Sequence, residues 1–511
     1  MGTLFERAAA RHPARTLSLD HDLDVAPGFP RRASYAAFAE LVADLSARLA
    51  AAGVGPGQRV VLHKSHGFDI TLLACAIARV GAVPVLLSPK LDGATVDALI
   101  RRVDRPYLLT DQRKLEEELP PTVFEQTRGV LLATGRFNGA VELQKLAGSP
   151  PVAAHPAAPY DPALITHTSG TTGLPKLAVH TGFTLQSRFR PQDAAARLFV
   201  RGRQTIAIHV SFVHSRMFTA LSIPLLRGFE IMVLADDDPA RVADTFAAQR
   251  PTIIEAHPNT FMAWEELADD PRGPLADMQT FSSTFDAIHP RTVQRMLEGS
   301  RRRRPRFVQM YGQSEIGPTT IRSYHLGRSR EDDLRCVGIP FPGMTGARVV
   351  SRGGRKPSRD TPGYIEIRSN GRIVTYLGEE DRYQHQISNG GWWRMGDVGY
   401  RGRWGCVHLL DREVDVIEGF GSTLAVEDAL FGRIGDLTEV VIIPGPDGRA
   451  VPVVCTRNDT PLDLLSWRTA TADLPPMAEP VQWRHGDLPQ TSTTKIKRLE
   501  LARLVAARSG A

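Results

Sequence analysis

Apolar positions early in the chain switch between two periods. Residues 35–52 place Phe38, Leu41, Val42, Leu45 and Leu49 three or four apart, the spacing of one helical face, and stop at Gly53. Residues 59–62 (RVVL) then read as a strand, 68–79 as a second helix, and 81–86 as the next strand. Residues 94–103 repeat the helical theme, with Val96, Leu99, Ile100 and Val103 on one face, before a strand at 107–110. This alternation predicts α/β layers. Residues 111–160 lose the period and become proline-rich near 150–159, which predicts a variable connection. Strands are expected at 163–166, 204–210, 230–234 and 252–254, with helices at 217–226 and 239–250. Further along, 306–308, 363–368 and 407–410 read as strands, while 390–397 reads as a turn into a loop.

A chain of 511 residues exceeds one ordinary hydrophobic core, so two or more domains are expected. With 42% hydrophobic and 23% charged residues the composition is that of a folded soluble protein. The net charge of +6 is modest for the length, and the run Arg301, Arg302, Arg303, Arg304 has no aromatic interleaving, so it reads as a solvated turn and no nucleic-acid partner is expected. Cys75, Cys336, Cys406 and Cys455 lie far apart without paired spacing, which suggests neither a disulfide framework nor a structural zinc site. The first residues lack a signal-peptide pattern. The most apolar stretch, 71–87, is interrupted by Arg79, Gly81 and Pro84, and reads as a buried helix and strand instead of a membrane span. A cytoplasmic protein is expected.

The chemistry centres on residues 168–176, TSGTTGLPK, just after the strand at 163–166. Gly170 and Gly173 permit close backbone approach. Thr168, Ser169, Thr171 and Thr172 supply hydroxyls, and Lys176 adds a mobile positive charge. Together they form a device for holding polyphosphate. It is not the GxxxxGK[ST] nucleotide loop, because Leu177 follows Lys176 where a metal-holding Ser or Thr would stand.

This stretch resembles the phosphate loop of the adenylate-forming superfamily, which includes acyl-CoA and aryl-CoA synthetases. Further stretches along the chain resemble that family in the same order. Residues 211–214 (SFVH) match a pocket segment, so Phe212 and His214 would line the acyl pocket near the carboxylate, with His214 also a catalytic candidate. Residues 278–290 match the adenine and substrate loop, but carry Thr284 and Phe285 where the family has two glycines, with Asp286 next. Bulky Phe285 would narrow the acid pocket. Residues 311–315 (YGQSE) resemble YG-x-[TS]-E: Tyr311 and Gly312 would meet adenine, Ser314 the α-phosphate, and Glu315 would help hold Mg2+. Residues 392–397 (WWRMGD) resemble the ribose segment, with Asp397 accepting from the ribose hydroxyls.

The resemblance further implies a hinge at 411–421, where Arg412 would contact ribose or phosphate, Val414 stands at the usual charged pivot, and Gly421 would line a thiol tunnel. Lys495 matches the catalytic lysine, suited to the charge that redistributes at the α-phosphate. Lys497 and Arg498 read as surface or phosphate-side charges. The expected architecture is an α/β, multi-layer adenylate-forming fold, with a large domain over 1–411 and a small mobile α+β domain over 412–511. The expected reaction is ATP- and Mg2+-dependent activation of a small or aromatic carboxylic acid as an acyl-adenylate, followed by transfer to CoA. A carrier-protein thiol or other non-CoA acceptor, and an adenylate-binding protein without turnover, are the alternatives.

Overall fold

The computed structural model describes residues 1–168, 173–284, 288–327, 335–490 and 496–509. Two large sheets organise it. In one, strands Val83–Leu86, Arg59–Leu62, Tyr107–Thr110, Gly129–Leu132 and Val141–Glu142 run parallel in that order. Pro162–His167 joins this set in parallel on the Val83–Leu86 side, and Leu177–Thr181 then turns back antiparallel against it. Residues 168–176 therefore form the connection between two paired strands.

The other sheet has a parallel half and an antiparallel half. Thr16–Leu19, Glu230–Val233, Thr205–His209, Ile253–Ala256, Thr280–Ser283 and Arg306–Gln313 are parallel neighbours. From Arg306–Gln313 the pairing becomes antiparallel through Gly317–His325, Cys336–Pro340, Val407–Arg412, Trp392–Arg401, Gly363–Ser369 and Thr345–Val350.

Helices pack between the sheets. Tyr35–Ala51 begins at Ser34, whose side chain accepts from the Ala37 N–H, and ends before Gly53 at φ 90°. Helix Asp69–Arg79 is buried at every residue but Ala78, and one core joins Val60 and Leu62 of the first sheet to Ile208 and Ile231 of the second through it. That double coverage explains the apolar stretch at 71–87. No helix among the described residues is long and apolar enough to cross a membrane.

Residues 111–160, expected as a variable connection, contain helices Gln112–Glu117 and Val123–Gln126 and the strand Gly129–Leu132, which extends the first sheet. These elements are too short to express a period. Residues 392–397 are strand and not loop, because Trp392–Arg401 pairs on both sides. Its glycines, with Gly396 at φ 73° and a register shift at Val398/Gly399, disguise it.

A large N-terminal α/β domain is followed by a smaller C-terminal one. The latter has its own packing: Leu437–Pro444, Ala450–Thr456 and Val481–Gln482 form a three-stranded sheet, with apolar clusters drawn from residues 417–505 on its two faces. Helix Thr423–Arg433 rests against Pro290–Gly299 of the large domain, where His289 Nε2 meets the Asp428 carbonyl at 3.0 Å and its ring lies 4.6 Å from that of Phe431.

Candidate active site

A cavity of about 570 Å³ opens where the two sheets and the C-terminal domain converge. One end of it is built from the base of the 168–176 connection. The Thr168 N–H donates to the Lys176 carbonyl at 2.9 Å, closing the connection at its foot. Gly173 holds φ 137° with open space where a Cβ would point, a backbone that side chains resist. Ser169, Gly170, Thr171 and Thr172 lie outside the described residues.

Lys176 sits in a three-way contact. Its Nζ is 3.2 Å from Glu315 Oε1 and 3.0 Å from the Tyr376 hydroxyl, which itself donates to Glu315 Oε1 at 2.6 Å. Burial, reinforced by the Glu315 carboxylate, pushes the Tyr376 hydroxyl well above its ordinary range, so it stays a donor. Glu315 is delivered by the tight hairpin between Arg306–Gln313 and Gly317–His325. Gly312 is required there: a Cβ on it would stand 1.9 Å from the Gly317 carbonyl oxygen.

Arg188, which sequence reasoning missed, rises from helix Gly182–Phe199 into the same corner. Its Nε donates to the Gly371 carbonyl at 2.6 Å and one NH2 group to Ser215 Oγ at 3.0 Å. The other guanidinium nitrogen is buried without a hydrogen-bond partner among the described residues, as is Thr168 Oγ1. Burial pulls Arg188 down to about 9, while Glu315 acts in the opposite direction. Two orphaned polar groups beside Lys176 fit an anionic polyphosphate. Both described contacts of Glu315 fall on Oε1, so Oε2 is the oxygen suited to Mg2+. When bound, the ion would neutralise charge on the nucleotide phosphates.

His214 caps helix Ser215–Arg227: Nδ1 accepts from the Arg216 N–H at 3.0 Å. Nε2 therefore carries the proton and donates to Ser314 Oγ at 3.0 Å. The Ser314 hydroxyl keeps its own proton to donate elsewhere. Behind it, Arg216 is locked by Glu255, with Oε2 accepting at 2.6 Å. Tyr311 donates to Asp397 Oδ2 at 2.5 Å, and Asp397 is register partner to Arg412 on the neighbouring strand. Tyr311, Asp397 and Arg412 thus occupy one patch of cavity wall, although they are widely spaced in sequence.

From the C-terminal domain, Arg498 reaches the cavity by a two-pronged contact with Glu427, at 2.6 and 2.8 Å, and is not a surface charge. Lys497 is the outward one and pairs with Glu500. Val414 is exposed on the single turn Glu413–Asp415. Gly421 holds φ 92° with open space beside it. Lys495, Phe285 and Asp286 lie outside the described residues. The sequence carried no local signal for Arg188 or Tyr376, because each is an isolated residue in an ordinary-looking element.

Among known proteins, a 3-amino-2-hydroxy-4-methoxybenzoate diazotase of Streptomyces cremeus is 46% identical, over 99% of this chain and 95% of its own. A 3-aminoavenalumate diazotase of a Streptomyces species is 26% identical, over 78% and 72% of the two chains. The solved structure of an anthranilate CoA ligase in complex with anthranoyl-AMP superposes with a TM-score of 0.82 at 18% identity, covering 100% of this chain and 97% of that one, and so shares the fold. Residues 5–377 match the AMP-binding enzyme family, and the chain belongs to that family of adenylate-forming enzymes.

Proposed function

We propose that this enzyme spends ATP to activate nitrite, and that the acceptor is an aromatic amine of the aminobenzoate class, which leaves as a diazonium ion. The carrying observation is the near-full-length likeness to a diazotase at 46% identity, joined to a cavity whose polar groups suit a nucleotide. A nitrite oxygen attacks the α-phosphorus in line and pyrophosphate departs, giving a mixed anhydride, O=N–O–AMP. The amine nitrogen then bonds to the nitroso nitrogen, the N–O bond to AMP breaks, and AMP leaves. The N-nitrosamine tautomerises to the diazohydroxide and loses water, which carries away both amine hydrogens and the second nitrite oxygen. No external oxidant is needed.

Positioning and charge stabilisation are the work of the protein in such a displacement. Lys176, Arg188 and the 168–173 connection hold the β- and γ-phosphates. Ser314, oriented by His214, donates to the α-phosphate. Tyr311 and Gly312 face adenine, and Asp397 with Arg412 holds the ribose. Lys495 acts at the reacting phosphate, and the domain from 412 onward carries it in and out.

A second reading is transfer of a small aromatic acid to the thiol of CoA or a carrier protein. It is favoured by Gly421, whose open, left-handed backbone suits a thiol passage. The two separate cleanly in one experiment. Purified enzyme with ATP and Mg2+ is given an aminohydroxybenzoate with nitrite, or the same acid with CoA, and AMP and pyrophosphate are measured. Diazonium is trapped as an azo dye, and thioester is followed by mass spectrometry. Nitrite-dependent AMP release with dye formation is expected. AMP release that ignores nitrite and yields thioester would replace the first reading by the second.

A further inference from the structure

Three soft donors meet away from the phosphate end of the cavity. Cys336 opens the strand Cys336–Pro340, and its antiparallel register partner is His408 on Val407–Arg412. Residues directly opposite on paired strands project to the same face, and so do residues two apart along one strand. Cys406 stands just ahead of that strand, two residues before His408, and its sulfur meets the other two donors. The Cys336 and Cys406 sulfurs and a His408 ring nitrogen lie within 4.8 Å of one another, and Cys406 Sγ is 3.2 Å from His408 Nε2. In a tetrahedral zinc site with Zn–S bonds of about 2.3 Å, sulfurs stand roughly 3.8 Å apart, so little movement is required.

The surroundings are those of a built site. A Cβ on Gly402 would fall 2.5 Å from His408 Nε2 and 2.7 Å from Cys406 Sγ, so glycine alone leaves the space between the donors open. The Tyr400 ring lies flat on His408, with centroids 4.5 Å apart and planes 11° apart, which fixes the imidazole. Arg322 donates to Cys336 Sγ at 3.0 Å, a contact that orients this sulfur. Cys336 and His408 are buried, and Cys406 is partly exposed, giving an ion a way in.

We propose that Cys336, Cys406 and His408 bind one zinc ion. Binding releases two thiol protons to solvent, forms two Zn–S bonds and one Zn–N bond, and leaves the fourth position to water. The ion cross-links the strands, with its water-bearing fourth position open to exchange. It joins two strands whose next residues, Val337 and Leu409, line the nucleotide cavity, and whose continuation carries Asp411 and Arg412. The site stands independently of which acceptor the enzyme uses.

The test uses the full chain, reduced and stripped with a chelator, then titrated with Co2+ and with Zn2+. Cobalt should give one equivalent of a tetrahedral spectrum with a thiolate charge-transfer band, displaced by zinc, and zinc should raise the Tm. Changing neighbours of a metal ligand weakens binding about 10–100-fold, so Cys336→Ser and Cys406→Ser, which remove ligands, should weaken it by at least about 100-fold. In case these variants fold poorly, alkylation of the wild-type protein is mapped by mass spectrometry. Zinc should slow reaction at Cys336 and Cys406 far more than at Cys75 and Cys455, which are buried elsewhere in the fold. No thiolate–cobalt band, equal alkylation with and without zinc, or a Cys336–Cys406 disulfide that forms in air regardless of zinc would each overturn the proposal.

Discussion

Tyr376 shows how much of the site lies in single residues that no motif announces. Its hydroxyl links Lys176 to Glu315 and is held protonated by burial. A hydrogen bond to a charged group contributes about 1.5–3 kcal/mol, so Tyr376→Phe should lower kcat/KM for ATP about 10-fold or more. Steady-state pyrophosphate release measures this, and an unchanged value would make the tyrosine a bystander. Lys495→Ala should cost about 100-fold or more in adenylate formation while ATP binding, followed by calorimetry, changes little. Comparable losses in both would remove the lysine from the reacting centre. Lys176, Glu315, Asp397 and Arg412 were legible because they stand inside ordered motifs, and the fold brings them to one cavity. Arg188 and Tyr376 were not, since their meaning arises only when Gly182–Phe199 and Thr375–Tyr376 pack beside strands far away in sequence.

At the level of elements, periodicity located those long enough to repeat. The strands Arg59–Leu62 and Tyr107–Thr110 and the helix Pro239–Gln249 lie where the pattern puts them, give or take a residue. The glycine-bearing strand Trp392–Arg401 escaped because pairing on both sides, a long-range effect, makes it a strand. The hairpin that presents Ser314 and Glu315 depends on backbone approach as much as on side chains. Gly312→Ala would drive a methyl against the Gly317 carbonyl. A loss of about 1–3 kcal/mol in denaturant unfolding is expected, with turnover falling alongside. Full stability in this variant would mean that the hairpin can shift its register.

Over the whole molecule, buried histidines decide the acid limit. Burial holds His63 and His289 down to about 3 and His66 to about 4, with nearby cations or histidines adding to the effect. The unfolded chain takes up protons at these residues below about pH 6.5 and the folded chain does not, so stability falls as pH drops from there. At pH 5 each contributes a loss of about 2 kcal/mol. Asp411 works the other way, because burial raises it to about 6 and the folded state gains about 1 kcal/mol on acidification. The sum predicts a Tm several degrees lower at pH 5 than at pH 7, and calorimetry showing a flat profile would contradict it. The helix Asp69–Arg79, sealed between the two sheets, has a consequence for dissecting the chain. A polypeptide that stops before Thr205–His209 keeps this helix and discards half of its cover, so it should precipitate or bind an apolar dye. A nick in the exposed stretch around Gly353 and Gly354, by contrast, severs nothing that either sheet leans on, and the two pieces should stay together and co-purify.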